Sequence, residues 1–569
     1  MAPATAIGER RGVRLAIVVV VVAVVVERLR ALVSAPPTDF DDAYMFLRYA
    51  HNLLAGFGLR WNRGEPPVYG ATSLPHVLVV ALVRRLAPRL DDAAVLQTAS
   101  GAAAILFVAA LVLTCARFAR HPVLRGRGWI WAALLLPPLA YAEPFTFHAQ
   151  TGMDTMLAAL ANTALVYAAL ALAEAPSLAR AFAAALAAYA AYLVRPDSAI
   201  YAAGIPALCL LATGARGARR RPLIAFVAAL AALVAIDLLV KQRWLGTPWP
   251  LGAYAKRPWY YGGFAGEFTW NPFWFLNVFF AGAAPFIAAL VLFTTRRSAG
   301  LAAALLAPVA VTIVALFGVN QIMGHLGRFY FPALPFVVVA AALIFDRRLV
   351  QAAAAAGERA AGAPAPPPAT LRAPFARLTG VALLFLVGER ALSIAGARYD
   401  GRAATQALAP LDGYTVPVAL PLPQIDSWTS SQEMAAFARA APSGTRFAMS
   451  EHGLVGASAP DAVIIDVLGL HDREFARHGF RAAELWRRAP EVIWMPHPDH
   501  TQMVRDILDS PELWDHYDFF PDAFSYGVAV RRDGLRAAAL AVLFQERWQA
   551  IYPGYAVLDG YRAERAAAR

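Results

Sequence analysis

The chain has 569 residues, of which 59% are hydrophobic and 16% are charged, and its net charge is +12 at neutral pH. This composition excludes an ordinary soluble enzyme. Apolar runs of roughly 20 residues, each long enough to cross a hydrocarbon core of about 30 Å, recur through the first 400 positions. Much of the positive charge is arginine in the short loops between these runs, which favours contact with anionic lipid over binding of nucleic acid.

The apolar runs predict a polytopic membrane protein with about eleven transmembrane helices. Arg10, Arg11 and Arg14 precede the first run, and because cytoplasmic segments are enriched in arginine they place the N-terminus in the cytoplasm. Residues 74–87 are apolar but short and are followed by arginines, so we predict a juxtamembrane helix there. The spans are expected near residues 13–33, 94–116, 129–142, 153–173, 178–194, 197–213, 222–240, 273–293, 300–318, 331–345 and 375–395.

The composition changes near residue 400 and predicts two domains. Residues 1–398 form the transmembrane domain, with a first outer loop at 34–93 and an alanine- and proline-rich cytoplasmic linker at 350–374. Residues 399–569 carry mixed charge and short apolar runs between amphipathic segments, a pattern typical of a soluble α/β domain. An odd number of spans places this domain on the extracytoplasmic side.

The first outer loop contains two adjacent carboxylates, Asp41 and Asp42. Unpaired charges at the boundary of a low-dielectric medium are costly, so acids at a membrane edge indicate a functional site. The residues that follow predict a short helix on the membrane surface, on which Tyr44, Arg48 and the aspartates face one cavity. Solvated loop acids and an interfacial aromatic anchor would explain the same pattern without a site.

Further charged residues map to the same side of the membrane, at span ends or in short loops rich in glycine, proline and aromatic residues. Irregular backbone at membrane depth is tolerated where it lines a cavity. A cavity of mixed carboxylates and cations at the lipid boundary suits an amphiphilic substrate with a phosphate head group. Besides the residues of the first loop helix, the set comprises Glu65, Glu143, His148, Asp154, Arg195, Asp197, Lys256, His325 and Arg328.

Seven segments of the chain carry a family resemblance. They are residues 41–53, 56–65, 151–155, 195–197, 246–256, 327–332 and 464–470. In their order and composition they resemble GT-C-type glycosyltransferases, most closely the arabinofuranosyltransferase branch, which includes the terminal β-arabinofuranosyltransferases of the actinobacterial cell wall. The resemblance implies a GT-C-like helical membrane domain and covers most of the chain.

Three positions depart from the family pattern. Asp154 stands where the branch usually has glutamate, so the charge is kept on a shorter side chain. Residues 247–252 lack the usual asparagine, and residues 320–325 replace a Gly-Gly-Asp segment. These departures leave the identity of the sugar and of the acceptor open.

The resemblance implies transfer of a sugar, arabinofuranose in that branch, from a polyprenyl-phosphate donor to a glycan or protein acceptor outside a bacterial plasma membrane. It implies Asp41, or next Asp42, as the general base that takes the proton of the acceptor hydroxyl. A phosphate leaving group needs cations more than a general acid, which favours Lys256, Arg195 and Arg328. The remaining substrate-binding candidates are Tyr44, Arg48, Glu65, Asp154 and His325.

No cofactor is expected, and the partners are the lipid-linked donor, the acceptor and membrane lipid, not nucleic acid. Cys115 and Cys209 lie in predicted spans, so neither a disulfide nor a metal framework is indicated. Asp41, Asp42 and Asp154 offer oxygen ligands for a divalent cation, but without specific ligand spacing we predict no metal site. A single base predicts inversion at the anomeric carbon, whereas a second nucleophile would permit retention.

Three alternatives remain. Within the same class, the first alternative is a transferase of another lipid-linked sugar, such as mannose or aminoarabinose. From another class, a flippase of lipid-linked sugars would need paired broken helices or an inverted repeat, and neither is evident in the sequence. Finally, the C-terminal domain alone would carry the function if the spans were only a scaffold, whereas we expect it to bind the acceptor glycan.

Overall fold

The computed structural model describes residues 4–213, 219–256, 271–317, 321, 323–360, 425–521 and 523–553. The chain divides into two compact units. The helical unit consists of Met1–Thr38, Gln97–Ala235 and Phe268–Gly396. The sheet unit consists of Asp39–Leu96, Ile236–Glu267 and Ala397–Arg569. The first outer loop, which the sequence places in the transmembrane domain, is therefore grouped with the C-terminal residues.

Helices dominate the described residues as far as position 360. In chain order these helices are α1 (Ala4–Val33), α2 (Asp41–Leu54), α3 (Leu74–Leu86), α4 (Asp92–Phe118), α5 (Gly128–Ala140), α6 (Glu143–Gln150), α7 (Thr155–Glu174), α8 (Leu178–Val194), α9 (Ala199–Thr213), α10 (Arg220–Leu245), α11 (Leu251–Ala255), α12 (Asn271–Phe293), α13 (Ala299–Leu316) and α14 (Leu334–Ala360).

Six helical segments among the described residues are long and apolar enough to cross a membrane. They are Asp92–Phe118, Thr155–Glu174, Arg220–Leu245, Pro272–Phe293, Ala299–Leu316 and His325–Ala355. Shorter apolar helices at Gly128–Ala140, Leu178–Val194 and Pro196–Ala212 coincide with three further predicted spans. The protein is thus an integral membrane protein with a helical membrane domain, as the sequence predicted.

Several predicted boundaries differ from the structure. The apolar stretch of α1 ends at Glu27 and Arg28, whose side chains pair at 2.6 Å, so this helix is not among the six. Helix α14 continues to Ala360, so the predicted linker at 350–374 begins with helix, since alanine-rich sequence favours it. The predicted span at 375–395 lies outside the described residues.

The core of the helical unit is formed by small side chains. Helix α7 packs on α8 and α9, α9 packs on α13, and α14 packs on α12. Their facing positions are mostly alanine, for example Ala159, Ala169, Ala184 and Ala188, all fully buried. In a bilayer such small residues let helix backbones approach closely. The resulting van der Waals packing stabilises the helix bundle, because no hydrophobic effect drives helices together within lipid.

The sheet unit contains a five-stranded sheet with the strand order β2-β1-β3-β5-β4. Strands β1, β2 and β3 are parallel, whereas β5 is antiparallel to both of its neighbours. The strands are β1 (Arg446–Met449), β2 (Val463–Asp466), β3 (Val492–Trp494), β4 (Tyr517–Phe520) and β5 (Val528–Arg531). The helices are α15 (Ser427–Ala440), α16 (Gly453–Ser458), α17 (Arg473–His478), α18 (Ala482–Arg487), α19 (Thr501–Leu508), α20 (Pro511–His516) and α21 (Ala537–Ile551).

The edge strand β2 is covered by the first outer loop. The side-chain amide of Asn62 accepts the N–H of Ile464 at 2.9 Å and donates to its carbonyl at 3.0 Å. The indole of Trp61 donates to the same carbonyl at 3.2 Å. Since an open sheet edge exposes unpaired backbone groups, these contacts protect β2 and join the loop to the sheet.

Candidate active-site residues

Arg195 of the helical unit is held between two carboxylates. It is the residue after α8, and Pro196 ends that helix. Its guanidinium donates to Asp197 at 2.7 Å and lies 3.4 Å from Asp154. The side chains of Arg195 and Asp154 are only 7% and 2% exposed, whereas Asp197 is 35% exposed. One side of this buried cation is therefore open to solvent through Asp197.

A tight turn places Arg328 near this ion-pair cluster. Leu326 and Gly327 have φ values of +49° and +75°, and a Cβ on Gly327 would lie 3.0 Å from the carbonyl oxygen of Phe275, so glycine is required there. The guanidinium carbons of Arg195 and Arg328 lie 5.5 Å and 5.6 Å from the centroid of the Phe329 ring. Two arginines thus share one aromatic ring, an arrangement suited to an anionic group.

His148, on α6, belongs to the same group. Its Nε2 lies 3.2 Å from the carbonyl oxygen of Leu326 in the turn. Burial, and then the guanidinium groups of Arg328 and Arg195 and the ring of His325, lower the pKa of His148 to about 3. The imidazole is therefore neutral at physiological pH, and the positive charge of the group resides on the two arginines.

Asp41, in the sheet unit, is bound by backbone amides. Its two carboxylate oxygens accept the N–H groups of Gly453 and Leu454, both at 2.8 Å. A Cβ on Gly453 would lie 2.0 Å from the carbonyl oxygen of Asp41, so only glycine permits this approach. Burial raises the pKa of Asp41, against the opposing effect of these hydrogen bonds. Asp41 therefore anchors α2 to α16, besides any part that it has in chemistry.

Arg48 is fully buried in the sheet unit and donates to neutral oxygens. Its guanidinium carbon lies 4.8 Å from the ring centroid of Trp61, and burial lowers its pKa to about 9. Its N–H groups donate to the carbonyl oxygens of Trp61 at 2.7 Å, Gly456, Ala459 at 3.1 Å and Ala462 at 2.9 Å, and to the amide oxygen of Asn62 at 2.9 Å. Five acceptors for five N–H donors leave this side chain no capacity to bind a substrate.

The remaining predicted residues occupy different surroundings. Tyr44 is 3% exposed and its ring lies 5.9 Å from that of Trp428. Glu65 is half-buried, and burial raises its pKa. Lys256 is exposed and follows α11, immediately before the residues that the structure does not describe.

The structure thus sorts the predicted site residues into two groups. Asp154, Arg195, His325 and Arg328 lie in the helical unit. Asp41, Asp42, Tyr44, Arg48, Glu65 and Lys256 lie in the sheet unit.

Sequence reasoning missed a set of polar residues in the C-terminal domain. Glu451 and His452 follow β1, Asp466 ends β2, and His497 follows β3. These are the carboxyl ends of three parallel strands, which meet at one edge of the sheet. Polar residues directly after short apolar strands were the available signal, but strand β1 was not recognised in the sequence.

Three of the buried polar residues lie at metal-ligand separations. One ligand atom each from His452, Asp466 and His471 lies within 4.8 Å of the others. Two of the three are already engaged, because Asp466 accepts the N–H groups of Leu468 and His471, and His471 contacts Tyr49 at 3.0 Å. Burial, and then the nearby His452 and Arg48, lower the pKa of His471, and the positive charge of Arg48 would repel a metal cation there. The donor set therefore fits a hydrogen-bonded core better than a metal centre.

The comparisons with known proteins give a fold. No protein-family model and no curated protein matches the chain. Among solved structures, apo ArnT from Cupriavidus metallidurans aligns with 92% of this chain and 98% of its own, at 14% identity and a TM-score of 0.53. ArnT bound to undecaprenyl phosphate aligns with 90% of this chain and 97% of its own, at 14% identity and a TM-score of 0.49.

ArnT is a GT-C glycosyltransferase, an aminoarabinose transferase. The chain therefore has the GT-C fold, with a helical membrane domain and a small C-terminal sheet domain, and the predicted fold class is confirmed. At 14% sequence identity, the likeness to ArnT establishes the fold and nothing finer. The assignment to the arabinofuranosyltransferase branch stays a prediction.

Proposed function

We propose that the protein is a membrane glycosyltransferase that moves a pentose from a polyprenyl-phosphate donor to a glycan or protein acceptor on the extracytoplasmic side of a bacterial plasma membrane. The observation that carries the proposal is the GT-C fold over 92% of the chain. The ordered motifs of the sequence, which resemble the same class, support it independently.

Arabinofuranose is the first candidate for the sugar, because the sequence motifs resemble the arabinofuranosyltransferase branch. Aminoarabinose is the second, and the structural likeness to ArnT favours it. Both are pentoses, so the two candidates differ in the ring and in one amino group. A donor comparison separates them.

The transfer forms a bond from the acceptor oxygen to the anomeric carbon and breaks the bond from that carbon to the phosphate oxygen. The acceptor proton passes to a carboxylate, and polyprenyl phosphate leaves as an anion. We assign the proton acceptor to the Asp41–Asp42 pair. We assign binding of the phosphate to Arg195 and Arg328, because guanidinium groups match phosphate oxygens in pairs.

The two aspartates call for different tests. Asp41 accepts two backbone N–H groups, and an asparagine has only one acceptor oxygen, so Asp41→Asn removes a structural hydrogen bond together with the charge. Asp42→Asn removes the neighbouring charge and is measured beside it. Asp39 is exposed and lies two residues before Asp41, so Asp39→Asn is a matched control.

The experiment measures sugar transfer by the purified full-length chain in nanodiscs. The donors are synthetic polyprenyl-phosphoryl arabinofuranose, aminoarabinose and mannose, each offered with a panel of glycan and peptide acceptors. We expect transfer from one pentose donor, a loss of about 10²–10⁴-fold in Asp42→Asn or Asp41→Asn, and no change in Asp39→Asn. Transfer from the mannose donor alone would contradict the pentose, and no transfer from any donor would contradict the proposed function.

A further inference from the structure

The C-terminal sheet has a topological switch point. Strand β1 lies between β2 and β3, and all three run parallel. The chain leaves β1 toward β2 on one side, and β3 then pairs with β1 on the other. In open α/β sheets, such a reversal opens a crevice at the carboxyl ends of the strands, where ligands bind.

The two loops at this point are tied together and carry polar side chains. The backbone N–H of His497, after β3, donates to the hydroxyl of Ser450, after β1, at 2.9 Å. Glu451 is the next residue in the β1 loop, and it is half-buried. The imidazole of His497 lies 3.4 Å from the carboxylate of Asp499, and its side chain is 36% exposed. A carboxylate and an imidazole therefore lie at the carboxyl ends of β1 and β3, where the strand order predicts a crevice.

An aromatic ring lies beside them. The ring of Tyr526 is 5.1 Å from that of His497 and stacks at 5.5 Å on Trp494, which is fully buried. The two residues before it, Phe524 and Ser525, have φ values of +51° and +69°. Two consecutive non-glycine residues in this region store strain, and such strain is concentrated at functional sites. A fixed, half-buried tyrosine is suited to packing against a sugar ring.

The crevice is electrostatically linked to the first loop helix. Asp41 of α2 binds Gly453, two residues beyond Glu451. Burial, and then the negative charge of Asp41, raise the pKa of Glu451 to about 7, against the opposing effects of His497 and His452. The Nε2 atom of His452, which is 2% exposed, has no hydrogen-bond partner among the described residues. A buried imidazole nitrogen that forms no hydrogen bond with the described residues thus belongs to the residue next to Glu451.

We propose that Glu451, His497 and Tyr526 form a binding site for the acceptor sugar, with Tyr526 packed on the sugar ring and Glu451 hydrogen-bonded to an acceptor hydroxyl. The combination of one aromatic face with a few polar groups is what distinguishes a sugar site from a hydrophobic pocket. This assignment rests on the proposed function, since it supplies the acceptor side of the transfer.

The test measures binding separately from transfer. Saturation-transfer difference NMR and calorimetry are run on the purified full-length chain in detergent, without donor, using soluble arabinofuranosyl, mannosyl and glucosaminyl oligosaccharides. We expect at least one oligosaccharide to bind to the wild type, and its affinity to fall at least about 10-fold in Tyr526→Leu and in Glu451→Gln. Glu512→Gln is the matched control, because Glu512 is exposed on α20 in the same domain. Its affinity should equal that of the wild type.

Folding is checked by circular dichroism and by the unfolding temperature of each variant. Should Tyr526→Leu unfold, the milder Tyr526→Phe and His497→Gln are used, with a smaller loss of affinity expected. Unchanged affinity in the folded variants would overturn the assignment, and so would failure of the wild type to bind every oligosaccharide. Binding that depends on Glu451 and Tyr526, without sugar transfer by the wild type, would contradict the proposed function and leave this site standing.

Discussion

Arg195 in the helical unit and Arg48 in the sheet unit are both buried, yet their partners differ in kind. Arg195 is bound to the carboxylates of Asp154 and Asp197. Arg48 is bound to backbone carbonyls and one amide, all neutral. The carboxylate of Asp197 is 35% exposed, so the Arg195 ion pair is reached by solvent. Backbone carbonyls cannot leave, so the Arg48 network is part of the fold.

The comparison teaches that a buried charge beside a membrane is not by itself a functional signal. From the sequence, both arginines qualify as substrate-binding residues, since each lies next to aspartates or aromatic residues. Their roles separate only when every N–H donor is followed to its acceptor. The following predictions test this separation, from the largest expected effect to the smallest.

Replacing Arg48 should have the largest effect, on folding itself. In Arg48→Met, five oxygens lose the N–H of Arg48, although those of Trp61, Asn62 and Ala459 each keep a second N–H donor. A buried acceptor without a partner costs about 1–3 kcal/mol. We therefore expect the free energy of unfolding to fall by at least about 3 kcal/mol, measured by thermal unfolding and by the monodisperse fraction in size-exclusion chromatography.

Arg63→Met is the matched control, because Arg63 lies in the same loop, forms an exposed ion pair with Asp461 and makes one further hydrogen bond, to Asn52. Exposed pairs contribute less than about 1 kcal/mol. If Arg48→Met and Arg63→Met had equal unfolding temperatures, Arg48 would not be the structural residue that we describe.

Replacing Arg195 should affect catalysis more than stability. Arg195→Lys keeps a positive charge between Asp154 and Asp197 but loses the paired N–H geometry that suits phosphate. We expect kcat/KM for the lipid-linked donor to fall about 10²-fold, with an unfolding temperature close to that of the wild type. Arg180→Lys, at the other end of α8, is the control and should keep full activity. If Arg195→Lys were strongly destabilised but transferred sugar normally, Arg195 would be a structural residue and not a substrate-binding one.

Replacing Asn62 tests the hydrogen bonds that join Arg48 to strand β2. Its amide pairs with both backbone groups of Ile464 and accepts from Arg48. Asn62→Ala should lower the free energy of unfolding by about 1–3 kcal/mol and speed amide hydrogen exchange across β2. Asn62→Asp keeps both acceptor contacts but places a carboxylate oxygen against the carbonyl oxygen of Ile464, so a loss of stability is expected there as well. Equal exchange in wild type and Asn62→Ala would show that the loop does not protect the edge strand.

His148 should give the smallest effect, through pH. Burial and the nearby arginines lower its pKa to about 3 in the folded state, whereas an unfolded histidine has a pKa of about 6.5. Below pH 6.5 the unfolded state takes up a proton that the folded state does not, so the stability present at neutral pH is lost as the pH falls toward 3. His148→Gln should lose less stability between pH 7 and pH 5, by on the order of 2 °C in unfolding temperature.

The control for this measurement is His478→Gln, since the side chain of His478 is 55% exposed. Its unfolding temperature should follow that of the wild type across the same pH range. Parallel curves for wild type and His148→Gln would mean that the pKa of His148 is not lowered in the folded chain.

The sequence by itself determined that the chain is a polytopic membrane protein with a C-terminal α/β domain. Apolar length and the composition shift near residue 400 are local properties, and local properties suffice for these conclusions. It also selected Asp154, Arg195 and Arg328 as candidates, and the structure places them in one unit, with Arg195 in contact with Asp154 and sharing the Phe329 ring with Arg328.

Only the tertiary structure decided which charges are engaged by the fold. Arg48 meets Gly456 and Ala462, and Asp41 meets Gly453, across about 400 residues of chain, a distance over which no periodicity or spacing carries information. The same holds for the crevice of Glu451, His497 and Tyr526, because strand order is set by long-range pairing and not by any one strand. Hydrogen-bond partners are a property of the folded chain, and they separate a charge that holds the fold from one that can hold a substrate.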